Sequence, residues 1–268
     1  MGSELALYPR LAWSRVRGQV EYRLSFVLML VGYFAATVAD FLAIWVIFLH
    51  LPLLAGWTLG EVAFLYGTSY VSFKLADMVV GHLDVLPTLV RSGSLDTLLT
   101  RPLGSLFQVI TIDFGLRHVG AIAQAVCVLA VACVTAGVPW DAARVAMMPV
   151  TILSGTVIFA SIWVLGASTV FWTMGNGLEV MNTFTYGGNQ MANFPINIYA
   201  GWLRRLIAYV VPLAFVTYFP SLYLLAKEDP LGSPGILRFA SPLVALGCVA
   251  AARFAWGQGI RHYQSTGS

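Results

Sequence analysis

The sequence predicts an all-α, polytopic membrane protein with six transmembrane helices. Three observations predict it. Mean hydropathy is +0.80, and 59% of residues are hydrophobic against 10% charged, whereas soluble domains hold about 25% charged residues. Apolar runs of about 20 residues, long enough to cross a bilayer, recur along the chain. Lys and Arg gather in alternate connecting segments, as the positive-inside rule requires of a multi-span protein.

The first element is residues 1–24. Within ELALYPRLAWSRVRGQVEYRL (4–24), Tyr8, Leu11, Trp13, Val16, Val20 and Leu24 give a loose apolar face, with Arg10, Arg15, Arg17 and Arg23 elsewhere. That pattern suits a helix in the membrane interface with its Arg heads toward anionic lipid.

A six-span membrane domain follows over 25–258. Its first span, 25–49, exceeds the 7–15 residues of a signal-peptide core and is expected to remain as an anchor. Asp40 lies near its middle, at a cost of about 2.5–3.5 kcal/mol. Fourteen Leu, Ile, Val or Phe residues in the same span offset this by roughly 4–8 kcal/mol as an upper bound. Asp40 is therefore a substrate-pathway candidate; the other reading is a hydrogen bond to a Ser, Thr or Tyr on a neighbouring span.

The second span, 59–80, opens with Thr58-Leu-Gly-Glu61, a capping box. Lys74 and Asp77, at i and i+3, are placed to pair. The remaining spans are expected near 118–137, 146–172 (after a Pro139-Trp140-Asp141 turn and cap), 206–225 and 240–257. Pro212 and Pro220 suggest that the fifth is kinked, broken or partly re-entrant. Residues 174–205, rich in Gly and Asn, read as short helices on the cytoplasmic side. Residues 259–268 form a tail. With both termini cytoplasmic, eleven Lys or Arg lie inside, three lie outside, and Lys74 sits within a span.

Between the second and third spans lies a polar, punctuated stretch, RSGSLDTLLTRPLGSLFQ (91–108), inside a segment bounded at 83–104. Gly93 can end one short helix in the left-handed region, Ser94 can cap the next, and Pro102 must stop it. Leu95, Leu98 and Leu99 share one apolar face, while Asp96, Thr97 and Arg101 remain for water or a partner. A helix this short does not stand alone in water, so something must hold it.

Several chemistries are excluded. There is no phosphate-binding G-x-x-x-x-G-K-[ST] loop, no H-E-x-x-H and no G-x-S-x-G. The four histidines are scattered at span ends. Cys127, Cys133 and Cys248 sit singly in apolar runs and read as packing residues. No basic cluster suits nucleic acid. An ion-driven carrier predicts several intramembrane charges and internal repeats, and an intramembrane enzyme predicts a reactive constellation. One central Asp fits neither well.

This span layout, together with LYGTSY (65–70), RSGSLDTLLTRPLGSLFQ (91–108), FPINIYAGWLRR (194–205), VVPLAFVTYFPSLYLL (210–225) and GIRHYQSTGS (259–268), resembles a bacterial branch of small permease subunits of type-2 ATP-binding-cassette exporters. The resemblance implies the type-2 exporter fold in the cytoplasmic (inner) membrane, with no ATPase in this chain. ATP and magnesium would be bound by a separate ATPase subunit, two copies per complex, and this chain would bind no cofactor or metal. The segment around 91–101 resembles a coupling helix seated in a groove of that ATPase. Leu95, Leu98 and Leu99 would bury there or against the permease itself, and Arg91, Ser94, Asp96 and Arg101 would set register. A second permease chain, identical or paralogous, would complete the pathway. Some relatives are described as exporters of viologens or similar drugs, so a lipophilic or amphipathic substrate is implied.

Overall fold

The computed structural model describes residues 23–112, 118–173 and 178–263; all but the last two residues of the interfacial helix expected over 1–24, and the last five residues of the tail, lie outside these. In chain order the α-helices are α1 (Arg23–His50), α2 (Leu59–Val80), α3 (Leu86–Arg91), α4 (Ser94–Leu99), α5 (Ser105–Ile110), α6 (Val119–Thr135), α7 (Ala142–Ser168), α8 (Leu178–Ala192), α9 (Gly201–Arg205), α10 (Tyr218–Leu224) and α11 (Ser241–His262). No β-strand occurs among the described residues.

The start signals act as their chemistry requires. The Thr58 amide donates to Glu61 Oε2 at 2.8 Å, and the Glu61 amide donates to Thr58 Oγ1 at 3.3 Å, which closes the capping box at the head of α2. Asp141 caps α7 by accepting from the Arg144 amide at 2.7 Å. That bond holds the exposed Asp141 carboxyl below the usual carboxylate range, assisted by the Arg144 guanidinium.

By length and composition, α1 over Val27–His50, α7 with its continuation to Phe171, and α11 can each cross a membrane. α6, at 17 residues, spans about 26 Å at about 1.5 Å per residue, close to the hydrocarbon core of about 30 Å. α2 carries Glu61, Lys74 and Asp77 but is buried along most of its length between α6 and α7. Small residues permit that packing. A Cβ at Gly67 would fall 2.8 Å from Leu129 Cβ, and one at Gly60 would fall 2.9 Å from the Ala136 nitrogen.

Two ends of the bundle are fixed by tertiary bonds. The near end carries residues 81–112. The far end carries 51–58, where Lys227 Nζ donates to the Gly56 carbonyl at 2.9 Å and to Glu61 Oε1 at 2.7 Å. α8 leads from one toward the other. Tyr186 donates to Asp84 at the near end (3.0 Å), Asn189 accepts from Ser69 midway along α2 (3.3 Å), and Asn197 donates to the Ala55 carbonyl at the far end (3.0 Å).

Over the described part, 178–205, this corrects the sequence expectation in one respect: Leu178–Ala192 is a single helix with its polar face inside the bundle, while the expected short helices follow it at Ile196–Ile198 and Gly201–Arg205. The expected fifth span, 206–225, is broken, as one sequence reading had it: Gly201–Val210 and Leu213–Leu224 are bent by 69° from one another. It enters from the far end and reaches the middle, where Leu213 faces Gly188 and the Phe215 carbonyl accepts from Ser241 Oγ (2.6 Å). It then returns to the far end, where Arg144 Nε donates to the Tyr223 carbonyl at 3.3 Å. Among the described residues, α1, α7 and α11 are long and apolar enough to cross a membrane, and the bent pair makes at most a fourth. Arg204 and Arg205 belong to the far end, beside Leu231 and Ser233.

Candidate functional site

The chain leaves α2 through a 3-10 turn, Gly81–Val85, and enters α3 with Pro87 in its first turn. Proline fits there because its missing N–H would have no helical partner, so Pro87 starts the helix. Gly93, with φ +70°, reverses the chain into α4, a conformation that costs glycine little. The helix cap is Gly93, whose carbonyl accepts from the Asp96 amide at 3.1 Å. Ser94, expected as the cap, is the first helical residue. Its hydroxyl lies 2.8 Å from that of Ser92. The left-handed glycine closes the turn one residue earlier than a serine cap would.

The α3–α4 hairpin has two sides. Leu83, Leu86, Val90 and Leu95 are buried within this chain, Leu95 at 0% exposure, and Leu98 packs half-buried beside them. Arg91, Ser94, Thr97, Leu99, Thr100 and Arg101 are exposed, Leu99 at 36%. Arg91 Nε donates to the Pro87 carbonyl at 3.3 Å. Asp96 is half-buried and faces the end of α11. Burial, with the Asp96 carboxylate beside it, pushes the Tyr263 phenol above its ordinary range. Trp256 Nε1 donates to Ser105 Oγ at 3.0 Å, tying the segment to α11 a second time.

Asp40 stands apart from this surface, on an exposed face of α1, and accepts from Tyr70 OH at 3.2 Å. Both sequence readings of Asp40 therefore have a structural counterpart: it is bonded to a neighbouring helix, and it is open to whatever covers α1. A carboxylate at that depth is stable only against a partner, a cavity or water.

Sequence reasoning missed three features. Lys74 and Asp77 pair as expected, at 3.0 Å, but His118 Nδ1 also lies 3.3 Å from Asp77, and all three are buried. Asp84 receives Trp163 Nε1 at 2.9 Å and Tyr186 OH at 3.0 Å. The polar face of α8 lies inside the bundle, with Thr185 and Asn189 buried. The missed partners, His118 of Asp77 and Trp163 and Tyr186 of Asp84, lie 41 to 102 residues away in sequence, so no local pattern could pair them.

A family model described as ABC-2 family transporter protein matches residues 34–267. The chain belongs to the ABC-2 transporter family. As an ABC-2 permease it is a polytopic membrane protein and a permease component of an ABC transporter. ATP hydrolysis in such transporters belongs to a partnering ABC ATPase. No curated protein and no solved structure matches this ABC-2 permease.

Proposed function

We propose that this chain forms half of the translocation pathway of an ATP-driven exporter in the bacterial inner membrane, and that a separate ATPase subunit docks on the α3–α4 hairpin. The observation that carries the reading is the hairpin's two-sidedness. Leu86, Val90 and Leu95 bury one side in the permease, so two helices of six residues each are held as a rigid projection. The other side presents Arg91, Ser94, Thr97, Leu99 and Arg101 outward. Apolar and charged groups on such a knob suit a groove, with the charges giving register and the leucine giving contact. Leu95 and Leu98 act from beneath as anchors, and Asp96 orients the hairpin against α11.

Counted along the sequence, nine Lys or Arg fall at or before the start of α1, between α2 and α6, or in the second half of α11; five fall at the start of α7 or between α8 and α11, and Lys74 lies inside α2. The excess favours a cytoplasmic near end, with both termini on that side. Two copies of the ATPase, each holding ATP and magnesium, would serve two permease chains, identical or paralogous. The exposed Asp40 would face the shared pathway or the second chain, since a carboxylate is not stable against lipid tails. A lipophilic or amphipathic substrate, cationic if Asp40 meets it, fits those walls.

The test is purification from native membranes in mild detergent, comparing the unaltered chain with the triple variant Arg91→Ala, Leu99→Ala, Arg101→Ala. An ABC ATPase recovered with the first and lost from the second supports the reading. A chain that purifies alone and moves solute into vesicles without ATP sinks it in favour of a secondary carrier.

A further inference from the structure

We propose that Asp84 is a positioning residue that joins the docking hairpin to α8, so that displacement of α3–α4 reaches that polar helix through the Asp84–Tyr186 hydrogen bond. This inference rests on the docking reading given above.

The geometry is specific. Asp84 sits in the 3-10 turn between α2 and α3, flanked by Leu83 and Leu86, both at 0% exposure. A turn pinned on both sides cannot deform freely, so it carries Asp84 with it when the hairpin tilts. The two carboxylate oxygens serve different helices. Oδ1 accepts from Trp163 Nε1 of α7 at 2.9 Å, and Oδ2 accepts from Tyr186 OH of α8 at 3.0 Å. Charge-assisted bonds of this kind are stronger than neutral ones and hold direction.

The donors are themselves fixed. The Trp163 ring stacks on Phe73 of α2 at 5.5 Å, and Tyr186 meets Phe73 and Trp163 edge-on at 5.6 and 5.3 Å. One carboxylate and three rings thus join α2, α7, α8 and the root of the hairpin. The two arms differ. Trp163 is fully buried, whereas Tyr186 is 39% exposed. The α7 arm is the fixed anchor, and the α8 arm is the one that water can compete for. Coupling between distant sites needs a physical element that both sites bias, and α8 is that element. It meets the root of the hairpin at Tyr186 and meets Ser69, halfway through the bundle, at Asn189.

The experiment uses the permease with its ATPase partner, with Cys127, Cys133 and Cys248 replaced and spin labels introduced in pairs by Thr97→Cys (α4), Gln190→Cys (α8) and Val46→Cys (α1). Magnesium ATP with vanadate is the probe. In the otherwise unaltered chain, the Thr97–Val46 and Gln190–Val46 distances should shift together. Tyr186→Phe keeps the ring cluster and removes the hydroxyl; Asp84→Asn keeps the shape and weakens both arms. In each, the Thr97–Val46 shift should survive and the Gln190–Val46 shift should be lost, with ATPase recovery and basal ATP hydrolysis unchanged. A Gln190–Val46 shift that persists in both variants overturns the inference. So does a Gln190–Val46 distance that stays still in the unaltered chain while Thr97 moves. If no ATPase accompanies the unaltered chain, the docking reading fails and the inference falls with it, an outcome distinct from the other two.

Discussion

Leu95→Ala separates anchoring from docking. Leu95 is at 0% exposure in a helix of six residues that cannot persist unaided. Truncating a buried leucine costs about 2–5 kcal/mol, from lost transfer energy and the cavity left behind. The cost should be local, because α4 is held by Leu95 and the half-buried Leu98 and by little else of its own sequence. At about 1.4 kcal/mol per factor of ten, the lower figure is roughly a 30-fold rise in the opened population of the hairpin. Opening exposes the Arg91–Ser92 bond to trypsin; the bond after Arg101 is followed by proline and is not a competing site. The assay is the rate of cleavage after Arg91 in detergent, where the opened fraction governs cleavage when closing is fast. Leu95→Ala should accelerate it by about tenfold or more. Leu99→Ala, on the outward side, should leave it within about twofold. Equal rates for Leu95→Ala and the unaltered chain would refute the claim that the hairpin is anchored from within.

Other outcomes follow from the packing. Gly67→Val should lower the detergent melting temperature by an overpacking cost of about 1–3 kcal/mol, because even a Cβ would fall 2.8 Å from Leu129 Cβ; Gly32→Ala, with nothing within 4 Å, should not. Thr58→Ala should cost about 1 kcal/mol through loss of the cap at α2, measured by the same melt against the exposed Thr97→Ala. The Asp229 carboxylate feels burial, which alone would raise its pKa, but hydrogen bonds from Tyr218 OH and the Leu231 and Ser233 amides outweigh it and hold the pKa below the ordinary value. The stability this contributes is therefore present above that ordinary value and is lost as pH falls through the lower folded one. Hydrogen exchange of the 226–235 loop should rise on acidification below about pH 4, and Asp229→Asn should flatten that dependence.

The sequence made the long apolar helices legible because apolar length alone dictates them. It also announced Thr58–Glu61, Asp141 and Gly93, whose side chains or backbone freedom act within a few residues. It misassigned Leu178–Ala192 for a physical reason. α8 is polar because its partners are Ser69, Asp84 and other polar groups inside the bundle, and polarity in a sequence cannot distinguish water from such partners. The proline-broken stretch 206–225 left a kink, a break and a re-entrant piece open, because a segment that enters and leaves at one end has the same composition as a span that crosses. Within the hairpin, the i, i+3, i+4 pattern grouped Leu95, Leu98 and Leu99 on one face. Burial divides them, because the face is wide and only part of it turns into the core: Leu95 fully, Leu98 in part, Leu99 not.

The most direct test of the central claim is a photo-activatable cross-linking residue placed at Thr97 in the chain in its native membranes, with Ile236 at the far end as the control. The docking account predicts a cross-link from position 97 to an ABC ATPase and none from position 236. A product at position 97 that contains only lipid, or a cross-link to the ATPase from position 236 instead, would contradict it.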